Sequence, residues 1–272
     1  MSPDHFFDLF LEELRALPEL SGYYKYHTSV KDFEFRKAYF LQRLRYVDRE
    51  VRALANHLGR APEIWDLGCG YGTTCLYLAM NGLATYGSTL EFYYDFLPRR
   101  REYWAQYGDA ELFGASYEDI YDAPPAAGSY DCVIVQDTLH HLEPIDRAVA
   151  IIAASLRPGG AAVCIEENGD NLVQTAKLYR QRGAQRVITY HDEALGKDVT
   201  MGNENIRGIG TWREIFERAG MHVEDGSVEF IRLLPPAVYG SANGDDIAER
   251  ERRMATPFLE KYFFFGVNFV AR

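Results

Sequence analysis

The chain is short of cysteine, short of positive charge and without a long apolar run. Its four cysteines, Cys69, Cys75, Cys132 and Cys164, form no Cys-x-x-Cys pair among 272 residues. That spacing supplies neither a disulfide framework nor a zinc-ribbon pattern, and free thiols in a reducing cytoplasm are the expectation. No apolar stretch approaches the about 20 residues that a membrane-spanning helix needs. The opening Met-Ser-Pro-Asp-His lacks the basic segment of a signal peptide, so a cytoplasmic chain with no membrane partner is expected. Acidic residues outnumber basic ones, 40 to 29, for a formal net charge of −11. A general nucleic-acid binder carries a basic face, so nucleic acid is not an expected partner. Internal repeats and low-complexity tracts are also absent.

What the chain does have is apolar mass and a change of period. Hydrophobic residues make up 47% of it, enough for a substantial core. The first 60 residues read as helices. Phe6, Phe7, Phe10, Leu11, Leu14 and Leu17 form a stripe ending near Pro18. A longer helix from about Val30 to Leu58 follows, stopped by Gly59. Between them, Gly22 to His27 is aromatic and aperiodic, a connector or a lid. From residue 61 strands alternate with helices. Strands are predicted at Glu63–Leu67, Ala84–Leu90, Glu111–Gly114, Asp131–Gln136, Ala161–Glu166, near His222–Phe230 and at Phe263–Val270. Helices are predicted at Thr73–Asn81, Phe92–Tyr107, Pro144–Leu156, Leu172–Arg182, Trp212–Ala219 and Asp245–Met254. This order implies an α/β fold, a doubly wound, mostly parallel seven-stranded sheet. The predicted organisation is an N-terminal helical cap over 1–60 and a main domain over 61–272. Segments 168–210 and 232–261 interrupt the alternation. They follow late strands, where ligands of open α/β sheets bind, and read as substrate covers or as surface decoration.

The most informative stretch is Ile64-Trp65-Asp66-Leu67-Gly68-Cys69-Gly70-Tyr71-Gly72. It reads as a buried strand, an acidic residue at its carboxyl end, a glycine-rich turn and a helix start. Such a turn brings backbone N–H groups close to a ligand and adds a positive dipole end. The spacing is Gly-x-Gly-x-Gly with Asp66 two residues earlier, and not the dinucleotide pattern Gly-x-Gly-x-x-Gly. Further motifs follow in order. Strand two ends in Gly87-Ser88-Thr89-Leu90-Glu91, strand three runs into Ser116-Tyr117-Glu118, strand four ends in Gln136-Asp137-Thr138-Leu139-His140-His141, and Arg157-Pro158-Gly159-Gly160 precedes strand five. Over residues 61–167 this set resembles the class I S-adenosylmethionine (SAM)-dependent methyltransferases. The Gly-x-Thr-Leu element is similar to the cyclopropane-synthase branch of that family.

The resemblance implies that SAM is the cofactor, with Asp66, Gly68, Cys69 and Gly70 at its methionine end. Thr89, Leu90 and Glu91 would stand near the ribose, Ser116 and Tyr117 against the adenine with Glu118 as an alternative polar contact, and Gln136 at the end of strand four. Thr89 stands where most of the family has a carboxylate, so Glu91 is either the ribose clamp or a helix N-terminal charge. The implied activity is methyl transfer to an oxygen or nitrogen of a small metabolite. An acceptor hydroxyl would need a general base, and His140 or His141, one of the two, is the candidate; a structural histidine is the alternative. Glu166, Glu167 and Asn168 end strand five at the same rim. No metal is expected, because no His-x-x-Glu-His or paired-Asp spacing is present. Tyr23, Tyr24, Tyr26 and His27 could close over the pocket. A SAM-binding enzyme of the same fold catalysing cyclisation or decarboxylation, a scaffold subunit, and a protein or RNA methyltransferase are the rival readings. Self-association is left open.

Overall fold

In a computed structural model the structure describes residues 1–26, 30–239 and 244–272, without the side chains of residues 30, 31, 91 and 92. Three helices open the chain: α1 (Pro3–Ala16), α2 (Pro18–Tyr24) and α3 (Val30–Leu58). Ser2 caps α1 by accepting from the His5 N–H, and Pro3 takes the first helical position, where its missing N–H costs nothing. Of the predicted connector, residues 22–24 form the end of α2, and Lys25, at φ +54°, and Tyr26 leave it. His27 lies outside the described residues. Gly59, at φ +66°, ends α3 as predicted.

The alternating part then runs β1 (Ile64–Leu67), α4 (Thr73–Ala79), β2 (Thr85–Thr89), α5 (Leu97–Trp104), β3 (Phe113–Tyr117), β4 (Tyr130–Gln136), α6 (Ile145–Ser155) and β5 (Leu156–Glu167). It continues with α7 (Leu172–Arg182), β6 (Val187–Asp192), β7 (Lys197–Gly202), α8 (Ile209–Arg218), β8 (Glu229–Ile231), α9 (Gly244–Met254), α10 (Pro257–Tyr262) and β9 (Gly266–Ala271). Seven strands form one sheet in the order β3-β2-β1-β4-β5-β9-β8. Its first five strands are parallel, and β9 is antiparallel to both its neighbours. The expected α/β, Rossmann-like sheet is therefore present. The order reverses between β1 and β4, and the crevice beyond their carboxyl ends is where such sheets bind ligands.

Differences from the expected elements have local causes. Pro98 lacks an N–H, and residues Glu91–Phe96 form a 3-10 turn before α5 where one longer helix was expected. Strand β3 is displaced two to three residues toward the C-terminus, which moves Ser116 and Tyr117 from a loop into the strand. The strand expected near His222–Phe230 is reduced to Glu229–Ile231, with a lone bridge between Val223 and Ala271. The polar part of 168–210 holds an antiparallel hairpin, β6–β7, and 232–261 contains a second helix, α10.

The N-terminal helices pack into the same core as the sheet. Phe6, Phe10, Leu41 and Val47 share one buried cluster with Ile64, Phe113, Ile134 and Val163. Phe6 stacks on Trp104 with ring centroids 4.4 Å apart. The opposite face of the sheet carries α6 and α8 through Val149, Ile152, Trp212 and Phe216. No helix is long and apolar enough to cross a membrane among the described residues.

Candidate active site

The first wall is the turn after β1. Gly68, Gly70 and Gly72 all adopt positive φ (+76°, +51° and +68°), which favours glycine. The N–H groups of Gly68 and Cys69 both donate to the Ser88 carbonyl, at 2.9 and 3.0 Å, so they stitch the turn to β2 and do not face a ligand. This departs from the expectation that the backbone of both is offered to the methionine end. Asp66 ends the strand 2% exposed, and Cys75 Sγ donates to its Oδ2 at 3.3 Å. Burial pushes the Asp66 carboxyl up to about 7, against the lowering effects of the Cys75 thiol and the Arg43 charge.

Beyond the turn opens a cavity of about 710 Å³. Asp66, Gly68, Cys69, Gly70, Thr89, Leu90 and Gln136 all line it, as do His140 and His141. Gln136 Nε2 donates to Thr74 Oγ1 in the first turn of α4 at 2.5 Å. Ser116 and Tyr117 do not line it. The Tyr117 hydroxyl donates to Asp192 Oδ2 at 2.7 Å, tying β3 to the hairpin, and Ser116 Oγ is buried without a partner among the described residues. Glu118, Asp119, Ile120 and Tyr121, the residues after β3, form the wall in their place. The side chain of Glu91 lies outside the described residues, so neither reading of its role is carried further.

The far end of the cavity is built on the two histidines. His140 is buried, its Nδ1 2.6 Å from Glu166 Oε2. Glu166 is held in turn by the N–H groups of Thr138 and Leu139, which donate to its Oε1 at 3.0 and 2.7 Å. Burial disfavours the charged imidazole, and the Glu166 carboxylate outweighs it, raising His140 to about 9. His141 Nδ1 stands 3.1 Å from the Gly202 carbonyl. A carbonyl only accepts, so this nitrogen carries the proton and Nε2 keeps its lone pair. Asp137, with its backbone at φ +49°, pairs with Arg43 of α3 at 2.6 Å.

Two covers close over this end. Tyr190, Val199, Thr200 and Met201 of the hairpin face the cavity. The hairpin is pinned by the Leu142–Met201 bridge, by Lys197 to Asp119 at 2.6 Å, and by the N–H of Asn205 to the His140 carbonyl at 3.1 Å. A Cβ on Gly202 would stand 2.0 Å from the His140 carbonyl oxygen, so only glycine lets the hairpin approach the histidines. On the other side Tyr23 and Tyr24 of α2 line the cavity. Tyr23 meets the rings of Tyr71 and Tyr93 edge-on, and Tyr24 shares a 2.6 Å hydrogen bond with Thr73 Oγ1. Tyr26 is instead buried in the core against Phe7 and Phe33.

A family model for a methyltransferase domain matches residues 65–164, the span from β1 through most of β5. Over that span the chain is similar to the class I SAM-dependent methyltransferases. An uncharacterised protein of Synechococcus is 33% identical to this chain over 106 residues, 39% of the chain. The chain spans about a quarter of that relative's length. A SAM-dependent methyltransferase from Mesorhizobium loti superimposes with a TM-score of 0.51 at 18% identity, covering 78% of this chain and 91% of its own. The cyclase SpnF superimposes with a TM-score of 0.53 at 20% identity, covering 83% of this chain and 80% of its own. The match to the methyltransferase domain leaves out α1 to α3, both hairpin strands and Glu204, which make up much of the acceptor end of the cavity.

The residues of this span fit the cofactor of that family. A buried carboxyl whose pKa burial pushes up to about 7 suits the ammonium of a methionine tail. The glycine turn leaves room beside it.

Proposed function

We propose that the chain transfers a methyl group from SAM to an oxygen or nitrogen of a small-molecule acceptor. The observation that carries the reading is that the glycine turn and the histidine pair face each other across one cavity. Asp66 would take the ammonium, Gly70 would add its backbone, and Thr89 and Leu90 would stand beside the ribose. SAM supplies an electrophilic methyl on a sulfonium. The chain's part is to hold both partners in line with water excluded. The covers favour a small acceptor: Tyr23, Tyr24 and the hairpin narrow a half-open cavity of about 710 Å³. At the acceptor end His141 Nε2 is placed to take a proton, while His140 is held as an imidazolium by Glu166.

Two results test this. Burial raises the Asp66 pKa in the folded chain above that of an unfolded carboxylate. The apo protein therefore holds an extra proton between about pH 4 and pH 7, and its stability falls as pH rises through that window. An arriving ammonium releases that proton. Calorimetric titration with S-adenosylhomocysteine near pH 6 should show heats that depend on the buffer's ionisation enthalpy, and Asp66→Asn should lose both that dependence and most of the affinity. Absence of any binding by the native chain would end the proposal.

His141→Ala should lower kcat by about 10²-fold or more while leaving S-adenosylhomocysteine affinity unchanged. Loss of affinity without loss of kcat would remove His141 from the reacting end. The similarity to a cyclase favours one second reading, a SAM-binding enzyme that does not methylate. Mass spectrometry separates the two, because transfer yields a product heavier by one methylene and an equal amount of S-adenosylhomocysteine.

A further inference from the structure

His140, His141 and Glu204 bring three potential ligand atoms within 4.8 Å of one another on the cavity wall. No sequence spacing announces this, because Glu204 arrives from beyond β7. The outer nitrogen of each ring is already engaged: His140 Nδ1 with Glu166, and His141 Nδ1 with the Gly202 carbonyl. Metal-binding histidines have this support almost without exception, a carboxylate or carbonyl on the other ring nitrogen fixing tautomer and orientation. Both Nε2 atoms are left to face the cavity, that of His140 is 3.7 Å from Glu204 Oε2, and an ion bound there displaces the proton that His140 otherwise carries on it. Glu204 is also held in place. Its backbone takes φ +53°, unusual for a residue with a Cβ, Arg182 donates to its carbonyl at 3.2 Å, and its neighbour Asn205 bonds the His140 carbonyl.

We propose that His140, His141 and Glu204 bind one divalent transition-metal ion of zinc or cobalt type at the acceptor end of the cavity. Two imidazoles and one carboxylate suit such an ion and disfavour magnesium or calcium, which prefer all-oxygen sets. Metal bonds of about 2.0–2.2 Å place adjacent ligand atoms roughly 3–3.5 Å apart, so the widest of the three gaps needs to close by up to about 1–2 Å. Three protein ligands leave positions open, and the cavity supplies the space for an oxygen, nitrogen or sulfur atom of the acceptor. Asp137 and Glu166 add negative charge close by. In its acceptor half this refines the methyl-transfer reading: the imidazoles would hold the acceptor through an ion and not take its proton directly.

The test uses the full chain stripped of metal with a chelator and titrated with Co²⁺, followed by visible absorption. One ion per chain, bound in the micromolar range or tighter and not displaced by millimolar Mg²⁺, is expected. Glu204→Gln and His141→Ala should each weaken binding by about 100-fold or more, and Glu166→Gln by about 10- to 100-fold. Glu204 is 44% exposed and meets the buried His140 only at 3.7 Å, so its size-matched variant should keep the native circular dichroism and melting temperature. Millimolar binding, or native affinity in both ligand variants, would overturn the site. S-adenosylhomocysteine titrated into the same samples keeps the two readings apart. Its binding without a metal site sinks the ion alone, and a metal site without its binding sinks the methyl-transfer reading alone.

Discussion

Replacing Gly68 with alanine should abolish S-adenosylhomocysteine binding at concentrations that saturate the native chain, and should lower the melting temperature. The new Cβ would stand 2.3 Å from Thr138 Oγ1, 2.5 Å from its Cγ2 and 2.9 Å from its Cβ. Thr138 cannot easily retreat. Its N–H donates to Glu166 and its hydroxyl to the Gln136 carbonyl at 2.9 Å, so any movement is passed to the histidine pair. The left-handed conformation at φ +76° adds its own penalty for a residue with a Cβ. The two effects cost about 1–2 and about 1–3 kcal/mol, a total of roughly 2–5 kcal/mol. If the turn moves instead, it carries Cys69 and Gly70 with it and strains its own bonds to Ser88. Combining the change with Thr138→Ala removes two of the three close atoms and should recover part of the stability, leaving the backbone strain. Calorimetry and thermal unfolding check both statements. Unchanged affinity in Gly68→Ala would mean that the turn does not seat the donor.

Arg100→Ala should destabilise the chain by about 3–5 kcal/mol in urea unfolding, and Glu13→Ala by a similar amount. Both side chains are fully buried, paired at 2.6 Å (Nη2 to Oε2) and 2.7 Å (Nε to Oε1). Removing either leaves a charge in the core without a partner. The pair joins α1 to α5, and the remaining Arg100 nitrogen donates to the Tyr71 carbonyl at 2.6 Å and to Thr73 Oγ1 at 2.7 Å. Arg100 therefore also braces the glycine turn from behind, and its loss should weaken S-adenosylhomocysteine binding as well. Exchanging both residues for methionine should restore most of the stability, since an apolar pair of similar volume needs no counter-charge. It should not restore the affinity, because the Tyr71 carbonyl still lacks its donor. A cost below about 1 kcal/mol for either single change would show that the pair is relieved by solvent.

Neither member of that pair stood out in the sequence. Glu13 interrupts an apolar stripe on α1, and Arg100 sits in the run Arg99-Arg100-Arg101, which reads as a solvated face. Burial is what separates Arg100 from its neighbours, and burial of a charge depends on a partner 87 residues away. The glycine turn was legible for the opposite reason. Its requirements are local: positive φ, close approach and an acidic residue at the end of a strand, all within Ile64–Gly72. The hairpin lies between these cases. Val187-Ile188-Thr189-Tyr190 and Val199-Thr200-Met201 flank Gly196 with β-branched and aromatic residues, a usable strand signal that the surrounding polar residues diluted. Ser116 and Tyr117 were misplaced by a shift of two to three residues in β3. Along a strand the side chain changes face at every step, so a small error in the boundary moves a residue from the cavity wall to the sheet.

The amino-acid order alone determined the α/β alternation and the turn at Gly68–Gly72, because periodicity and backbone freedom are properties of neighbours in the chain. The tertiary structure decided what faces the turn. Arg43, Asp137 and the hairpin with the adjoining Glu204 come from three separate segments, and His140 acquires its charge only once Glu166 of β5 is buried against it. Electrostatics and enclosure act through space in a medium from which water has been removed, and that medium exists only after the sheet and its covers have closed.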